Sequence, residues 1–232
     1  MRLLRAGDRF LTRADGMLTA HCFSFGAHFD PTNTSLGALI ACNDEHLEPG
    51  RGYDTHPHRG TEIVTWVVQG ALTHEDSTGR RSDVPAGSVQ RLSAGAGIRH
   101  CERNASSSQP LRFVQMWLRP DVAETEPTYA WGTPSIRSGR WTDVVGDSAS
   151  VGVGAHGARL RVARLAAADE VDLSVPALGH LFVTTGSVDV EGLGRLHGGD
   201  SVRLIGESTR LAASAAAELL AWELPHQDAA ST

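Results

Sequence analysis

The chain consists of short apolar runs that alternate with glycine-containing turns. Residues 62–69 (Glu-Ile-Val-Thr-Trp-Val-Val-Gln) are rich in β-branched side chains and stop at Gly70, and a second short run, 71–75, ends at the turn 76–79. Short strands with turn residues at this spacing are typical of an all-β barrel or sandwich. The best helical candidate is 212–220, but its neighbours 218–224 are equally compatible with a final strand.

The two halves of the chain carry the same succession of elements. Residues 65–74 resemble 181–190, and residues 84–92 resemble 196–204. In both halves a strand, a Gly turn, a strand, a second Gly turn and a strand follow one another, and a repeat of this length indicates two copies of one β fold. The stretch 121–150 is rich in Pro, Gly, Ser and Thr, which is typical of a connector. The sequence therefore predicts two domains, 1–132 and 133–232.

Composition excludes several classes of protein. The 232 residues include 41% hydrophobic and 21% charged residues and carry a net charge of -6, and every basic side chain is an arginine. This charge balance gives no reason to expect nucleic-acid binding. No stretch approaches the roughly 20 apolar residues of a membrane span, and the first residues lack the apolar run of a signal peptide. We expect a soluble cytoplasmic protein, monomeric because closed barrels leave few free edges.

Two pairs of potential metal ligands stand out in the first half. His56 and His58 are two residues apart, as are His100 and Glu102. Alternate side chains of a strand point to the same face, so each pair projects together. Imidazole and carboxylate groups bind Fe(II), Mn, Ni, Cu or Zn. In the alternative interpretation, these side chains only line the mouth of a barrel and are satisfied by hydrogen bonds.

The spacing of these residues resembles the cupin motifs, with one departure. The pattern Gly50-x5-His56-x-His58-x3-Glu62 followed by Gly70 is similar to the first motif, with one extra residue before its last glycine, and Gly79-x5-Pro85-x-Gly87 is similar to the start of the second. The usual third histidine would stand at position 90, where this chain has Gln90. A histidine and a glutamate follow ten and twelve residues later instead, a departure that resembles the pirin family. The resemblance is strong over about 15–132 and holds only in outline beyond.

The resemblance implies a bicupin, an all-β fold of two cupin (jelly-roll) barrels, with metal in the N-terminal barrel only. The implied ligands of one mononuclear divalent metal are His56, His58, His100 and Glu102. Pirins bind mainly iron, so Fe(II) is the expected metal, with Cu, Ni, Mn or Zn as alternatives. Glu62 shares parity with His56 and His58 and is therefore expected to face the same way, but family precedent favours Glu102 as the ligand and Glu62 as a supporting or structural residue.

The resemblance also implies an activity. Bacterial pirins can convert quercetin as 2,3-dioxygenases, which predicts a flavonol-like aromatic substrate, O2 as the second substrate, and Glu102 as the catalytic group that takes the substrate's hydroxyl proton. The alternative is a non-catalytic, iron-dependent redox regulator that binds a protein partner, for which Arg99, Arg103 and Arg112 would supply an exposed charged patch. Isomerase or sugar-binding chemistry, found in other cupins, is a third alternative.

Other side chains have less specific interpretations. Gln90 either hydrogen-bonds a ligand or bound water or packs in the barrel wall. Cys101 is expected to face away from the metal as a small packed residue rather than a redox switch. Arg59 is expected to pair with a surface carboxylate, with the steering of an anionic substrate as the alternative. His74 and Glu75 are expected to face solvent. Four apolar residues are expected in the core or in a pocket wall: Phe23, Phe25, Trp66 and Met116.

Overall fold

A computed structural model describes residues 1–226 and shows an almost purely β protein. A 3-10 turn at Ala6–Asp8 is the one helical element among these residues. The strands, in chain order, are β1 (Arg2–Leu4), β2 (Phe10–Ala14), β3 (Met17–His21), β4 (Leu39–Leu47), β5 (Gly52–His58), β6 (Glu62–Gln69), β7 (Ala71–Asp76), β8 (Arg81–Pro85), β9 (Val89–Ser93), β10 (Ile98–Asn104), β11 (Leu111–Leu118), β12 (Thr128–Gly132), β13 (Trp141–Val145), β14 (Arg159–Leu165), β15 (Glu170–Thr185), β16 (Ser187–Val190), β17 (Gly194–His197), β18 (Ser201–Ala213) and β19 (Ala217–Leu224).

Two sheets form the first half of the molecule. A seven-stranded sheet has the order β12-β9-β6-β11-β4-β3-β2, and a four-stranded sheet has the order β5-β10-β7-β8. Phe113 of β11 packs with Leu72 and Val84 of the four-stranded sheet. The next residue, Val114, packs in a different cluster, on the opposite face. Successive side chains of β11 therefore pack on opposite sides, so both faces of the seven-stranded sheet are buried.

One eight-stranded sheet forms the second half, in the order β13-β14-β19-β15-β18-β16-β17, with β1 added to β18. The run β9-β6-β11-β4-β3 of the first half has its counterpart in β18-β15-β19-β14-β13. The hairpins β6–β7 and β15–β16 turn at Gly70 (φ 80°) and Gly186 (φ 77°), where the left-handed backbone favours glycine. The prediction of an all-β fold with two cupin-type jelly rolls is confirmed. The jelly rolls are built from facing or folded sheets rather than from barrels closed by hydrogen bonds.

The boundary between the two predicted domains stays a prediction at residue 132. Strands β2 to β12 lie in the two sheets of the first half. The first strand, however, crosses to the other half, since Arg2–Leu4 pairs antiparallel with β18. The chain therefore begins in the sheet that its last strands complete.

The helical alternative for 212–220 is wrong. β18 continues to Ala213, a bend occupies 214–216, and β19 begins at Ala217. β19 lies between β14 and β15 and hydrogen-bonds to both, so its apolar residues are buried by pairing and packing that outweigh local helix propensity. In the described part of the chain, no helix has the length and apolar character needed to cross a membrane.

The largest apolar cluster lies between the two halves. It joins the outer face of the seven-stranded sheet, including Trp66 and Met116, to β14, β15 and β19 of the second half. Two indoles also hydrogen-bond across this boundary. Trp66 Nε1 donates to Glu218 Oε1 at 2.8 Å, and Trp222 Nε1 donates to Met116 Sδ at 3.0 Å. The two halves therefore share one core.

We expect Trp222→Ala to destabilise the protein by about 3–5 kcal/mol, because it removes a large side chain from this shared core. Trp222 is 1% exposed, whereas Trp131 is 42% exposed and serves as the matched control. Trp131→Ala should change the free energy of unfolding by about 0.5 kcal/mol or less. Urea unfolding followed by circular dichroism measures both values. Equal costs for the two variants would contradict a shared core.

Candidate metal centre

Strands β5 and β10 bring three imidazoles together at the edge of the four-stranded sheet. His56 lies directly opposite His100 in the antiparallel register, and His58 lies opposite Ile98. One ring nitrogen from each of His56, His58 and His100 lies within 4.8 Å of the other two. A β-bulge follows at once, because Tyr53 rather than Asp54 lies opposite Glu102. Such bulges re-aim side chains and are frequent beside functional sites.

Hydrogen bonds to the ring nitrogens orient the imidazoles. His56 Nδ1 lies 2.7 Å from the carbonyl oxygen of Asp54, so Nδ1 carries the proton and Nε2 has the free lone pair. His100 Nδ1 lies 3.5 Å from His74 Nδ1, and His74 Nε2 lies 3.2 Å from Asp76 Oδ2. In this series of hydrogen bonds, Asp76 Oδ2 accepts from His74 Nε2, and His74 Nδ1 can accept from His100 Nδ1. Outer groups of this type fix the tautomer of metal-binding histidines.

The Nε2 atom of His100 gives the strongest structural indication of a metal site. His100 is 1% exposed, and its Nε2 has no hydrogen-bond partner among the described residues. A buried polar atom without a partner costs about 1–3 kcal/mol. A cation held between His56, His58 and His100 would use this lone pair, so the residues present fit a divalent metal.

The imidazoles are also in the protonation state that a metal requires. Burial lowers the pKa of His58 to about 4, and the nearby rings of His100 and His56 act in the same direction. Burial together with His56 and His74 lowers the pKa of His100 to about 3. Both rings are therefore neutral at neutral pH, with lone pairs available for coordination.

Glu102 reaches across the interior to two glutamines of the seven-stranded sheet. Its Oε1 accepts from Gln90 Nε2 and its Oε2 accepts from Gln115 Nε2, both at 2.6 Å. The amide orientations are fixed in turn, because Gln90 Oε1 accepts from Tyr129 Oη at 2.8 Å and Gln115 Oε1 accepts from Trp117 Nε1 at 3.0 Å. Each carboxylate oxygen retains a second lone pair that could bind a metal.

The structure thus places the four predicted residues around one site, with Glu102 closer to some of them than to others. A Glu102 oxygen lies within 4.8 Å of nitrogens of His74 and His100, whereas His56 and His58 group with His100 alone. His100 therefore belongs to both groups. The assignment of these four side chains as ligands stays a prediction.

A cavity opens beside the imidazoles. It has a volume of about 340 Å³, and His56, His58 and Glu102 form part of its wall. Phe25 and Trp117 also line it, with ring centroids 5.0 Å apart at an interplanar angle of 77°. A mostly apolar cleft of this size with a few convergent polar groups is typical of a small-molecule site.

A buried acid also lines this cavity. Glu45 is 3% exposed, and its Oε2 accepts from Thr19 Oγ1 at 2.5 Å and from Tyr53 Oη at 2.6 Å. Burial raises the pKa of Glu45 to about 7, although both hydroxyls act in the opposite direction. The cavity therefore contains a carboxyl group that can exchange a proton near neutral pH.

Two expectations about orientation are wrong. His74 does not face solvent: it is fully buried, and its ring stacks on Tyr129 with centroids 4.3 Å apart. Glu62 does not face the imidazoles, because the chain turns at Gly60 (φ 59°) and β6 belongs to the other sheet. Glu62 instead accepts from Ser93 Oγ at 2.8 Å, which is a structural role.

Several secondary expectations are confirmed. Gln90 hydrogen-bonds Glu102, Arg59 pairs with the exposed Glu124 at 2.8 Å, and Cys101 is buried. Phe25 lines the cavity, whereas three of the apolar candidates lie in the shared core: Phe23, Trp66 and Met116.

The sequence did not identify the residues that support the site. Glu45, Tyr53, Gln115 and Trp117 lie on three separate strands and carry no motif. Only their strand parity was available as a clue: Gln115 and Trp117 alternate with apolar residues that face the other way. Their positions depend on how the two sheets face each other.

In the described part of the second half, the positions that correspond to this ligand set carry other side chains. The repeated topology places Leu173, Val175, Thr209 and Leu211 at the positions that correspond to His56, His58, His100 and Glu102. Leu173 lies opposite Thr209, and Leu211 lies opposite Val190. The aliphatic members pack in the core of the second half. These four side chains offer no imidazole or carboxylate.

Glu45→Gln should change how stability depends on pH. The raised pKa of Glu45 means that its contribution is fully present below its ordinary value of 4.5 and is lost as the pH rises through about 7. Relative to the variant, metal-free wild-type protein should lose up to about 3 kcal/mol of unfolding free energy over this range. Urea titrations at several pH values measure the difference. The exposed Glu48→Gln is the control, and parallel curves for wild type and Glu45→Gln would contradict the shift.

Comparison with known proteins places these features in a family. Residues 5–118 match the family model described as Pirin. A Mycobacterium tuberculosis protein named "Putative quercetin 2,3-dioxygenase" is 40% identical over 97% of this chain and 95% of its own length. An Escherichia coli protein named "Quercetin 2,3-dioxygenase" is 44% identical over 55% of each chain. The crystal structure of the bacterial pirin YhhW from Escherichia coli in complex with nickel(II) superposes with a TM-score of 0.90 at 29% identity, covering 97% of this chain and 99% of that chain. This chain belongs to the pirin family.

Proposed function

We propose that the protein is a metal-dependent dioxygenase that holds one divalent metal through His56, His58, His100 and Glu102 and cleaves flavonols such as quercetin. The observation that carries this proposal is the partnerless, buried Nε2 of His100 beside two further imidazoles at the wall of a cavity. Neutral imidazoles and a carboxylate suit a mononuclear centre that keeps open positions.

The names of similar proteins support both the flavonol reaction and the metal. The Escherichia coli relative is named as a quercetin 2,3-dioxygenase, and the similar YhhW structure contains nickel(II). We infer Fe(II) as the working metal, since a set of histidines and one carboxylate accepts Fe(II) as well as Ni, Cu, Mn or Zn. When bound, the metal would act as a Lewis acid and hold the two substrates together.

The cavity supplies the conditions for an aromatic substrate. The edge-to-face pair of Phe25 and Trp117 forms an apolar wall against which a flat ring can pack. His58 adds to this wall, since its ring meets Trp117 edge to face at a centroid distance of 5.0 Å. The substrate would thus lie between aromatic edges and the imidazoles, where little water remains.

Glu102 is the proposed base. Its carboxylate would take the proton of the substrate's hydroxyl while Gln90 and Gln115 hold both oxygens in place. Tyr129 and Trp117 fix the two amides, so the carboxylate is oriented before the substrate arrives. Glu45, which also lines the cavity, is available to a polar group of the substrate.

The regulator alternative depends on a charged surface that the structure does not assemble as expected. Arg112 lies on β11, where its guanidinium donates to both oxygens of the buried Asp44 at 2.9 and 3.0 Å. Arg103 pairs with Asp54 at 2.6 Å. Arg112 therefore does not join Arg99 and Arg103 of β10 in a free cationic patch. A protein partner, the monomeric state and the cytoplasmic location stay predictions.

Metal stoichiometry tests the ligand assignment. We expect His100→Ala to abolish stoichiometric Fe(II) binding at this site, and His74→Phe to weaken it by about 10–100-fold through loss of the orienting contact. The exposed His156→Ala is the control and should bind like wild type. Elemental analysis and anaerobic titration measure the binding. Full occupancy in His100→Ala would rule out the assigned centre.

Oxygen uptake tests the reaction. Protein reconstituted anaerobically with one equivalent of Fe(II) should consume O2 and release carbon monoxide only when quercetin is present. Glu102→Gln should lower the rate by about 10²–10⁴-fold, the usual contribution of a general base, in samples with matched metal content. His156→Ala should be fully active. If the metal-loaded wild-type protein consumes no oxygen with quercetin, the flavonol reaction is excluded.

A further inference from the structure

A second group of potential metal ligands shares no residue with the first one. Cys22, which follows β3, and Cys42 of β4 lie directly opposite each other, since Cys22 N donates to Cys42 O at 3.0 Å in continuation of the strand register. His180 comes from β15 of the second half. The two sulfurs and a ring nitrogen of His180 all lie within 4.8 Å of one another.

Strand alternation separates this group from the cavity. On β4, Asn43 and Glu45 line the cavity, whereas Cys42 packs in the core shared by the two halves. The neighbour of Cys42 on β11 is Met116, which also belongs to that core. The three side chains therefore occupy the opposite face of the seven-stranded sheet from the imidazole centre.

Burial makes the chemistry of this group unusual. Cys22 and Cys42 are 0% exposed and His180 is 2% exposed. His180 Nε2 has no hydrogen-bond partner within the described residues. An isolated buried cysteine is ordinarily a small apolar residue, but an unsatisfied imidazole beside two thiols is costly unless another group binds the nitrogen.

The surroundings favour one thiolate in the absence of a metal. The Cys42 thiol, and after it the His180 ring, lower the pKa of Cys22, whereas the hydrogen bond with Cys22 and burial raise the pKa of Cys42, so the second proton would leave when a cation binds. Two guanidiniums act on the group: Arg203 Nη2 donates to the carbonyl oxygen of Cys22 at 3.3 Å, and the positive charge of Arg9 also lowers the pKa of Cys22. Cationic neighbours stabilise the thiolate form, which is the form that binds metals.

We propose that Cys22, Cys42 and His180 form a second metal site, which binds a thiophilic divalent cation of the Zn²⁺ type. Two thiolates and one neutral imidazole are a known ligand set for Zn²⁺, with bonds of about 2.3 Å to sulfur and about 2.0–2.1 Å to nitrogen. Such bonds require ligand atoms about 3.5–4 Å apart, and the three ligand atoms here all lie within 4.8 Å of one another. Two thiolates also balance the two charges of the cation, so the buried site gains no net charge.

The proposed site joins the two halves of the chain. Cys22 and Cys42 belong to the seven-stranded sheet and His180 to the eight-stranded sheet. A disulfide between the cysteines would link only neighbouring strands and would leave His180 Nε2 unsatisfied. The position of His180 is therefore the reason to favour a metal over a redox-active thiol pair.

Cobalt(II) is a direct probe of the site, because thiolate coordination gives a charge-transfer absorption in the near ultraviolet that an imidazole and carboxylate centre cannot give. Protein purified under reducing, anaerobic conditions and refolded with Co²⁺ should bind about two equivalents per chain, one at each centre, and show this absorption. Addition of Zn²⁺ should remove the absorption.

Substitutions identify the residues that give rise to the charge-transfer absorption. Cys22→Ala/Cys42→Ala and His180→Leu should each lose the charge-transfer absorption and retain about one equivalent of Co²⁺ at the first centre, which also shows that they fold. Cys101→Ser is the matched control: it removes the third buried cysteine and should keep the absorption. Conversely, His100→Ala should lose the first equivalent and keep the absorption.

X-ray absorption of zinc-loaded wild-type protein gives a test that needs no variant. Sulfur scatterers at about 2.3 Å are expected in addition to nitrogen. The proposal is overturned by nitrogen and oxygen scatterers alone, by an absorption that survives in Cys22→Ala/Cys42→Ala or disappears in Cys101→Ser, or by a Cys22–Cys42 disulfide in protein purified without reductant.

Discussion

The burial of both faces of the seven-stranded sheet is the constraint on which the rest of the structure depends. One face meets the four-stranded sheet and provides Gln90 and Gln115, which hold Glu102. The other face packs on the second half through the largest apolar cluster. Strands buried on both sides carry nearly continuous apolar runs, which explains why Glu62 to Val67 are all buried. The same run of β6 thus supports the metal centre and the contact between the halves, so damage to the shared core is expected to disturb the site as well.

Strand parity explains both the success and the failure of the sequence-based predictions. Within β10, and at the end of β5 beyond its bulge, alternation correctly placed His100 with Glu102 and His56 with His58 on common faces. It failed for Glu62, because the count was carried across the turn at Gly60 into a strand of the other sheet. It was not applied to His74, which was expected to face solvent although it pairs with Glu102 inside the sheet. Strand parity therefore predicts which side chains share a face only within one regular strand. A turn or a bulge between two residues makes the count invalid.

The supporting residues were beyond prediction for a different reason. Tyr129 fixes Gln90, and His180 meets cysteines that precede it by more than a hundred residues. These contacts follow from which sheets face each other, and no local spacing encodes that. The internal repeat did predict two copies of one fold, and the strand orders agree. What the repeat could not show is that both copies would contribute to one core, with β1 crossing from the first half to the second.

The comparison of the two copies shows what the imidazole centre of the first costs in packing. In the second, Leu173, Val175 and Leu211 fill the corresponding interior with aliphatic side chains, which gain free energy by burial. In the first, the same positions hold polar groups that must be satisfied by Gln90, Gln115, His74 and Asp76, and among the described residues His100 Nε2 has no partner. The apolar packing between the two sheets of the first copy is correspondingly divided into two small clusters. The second copy therefore supplies, through the shared core, packing that the first gives up for its polar interior.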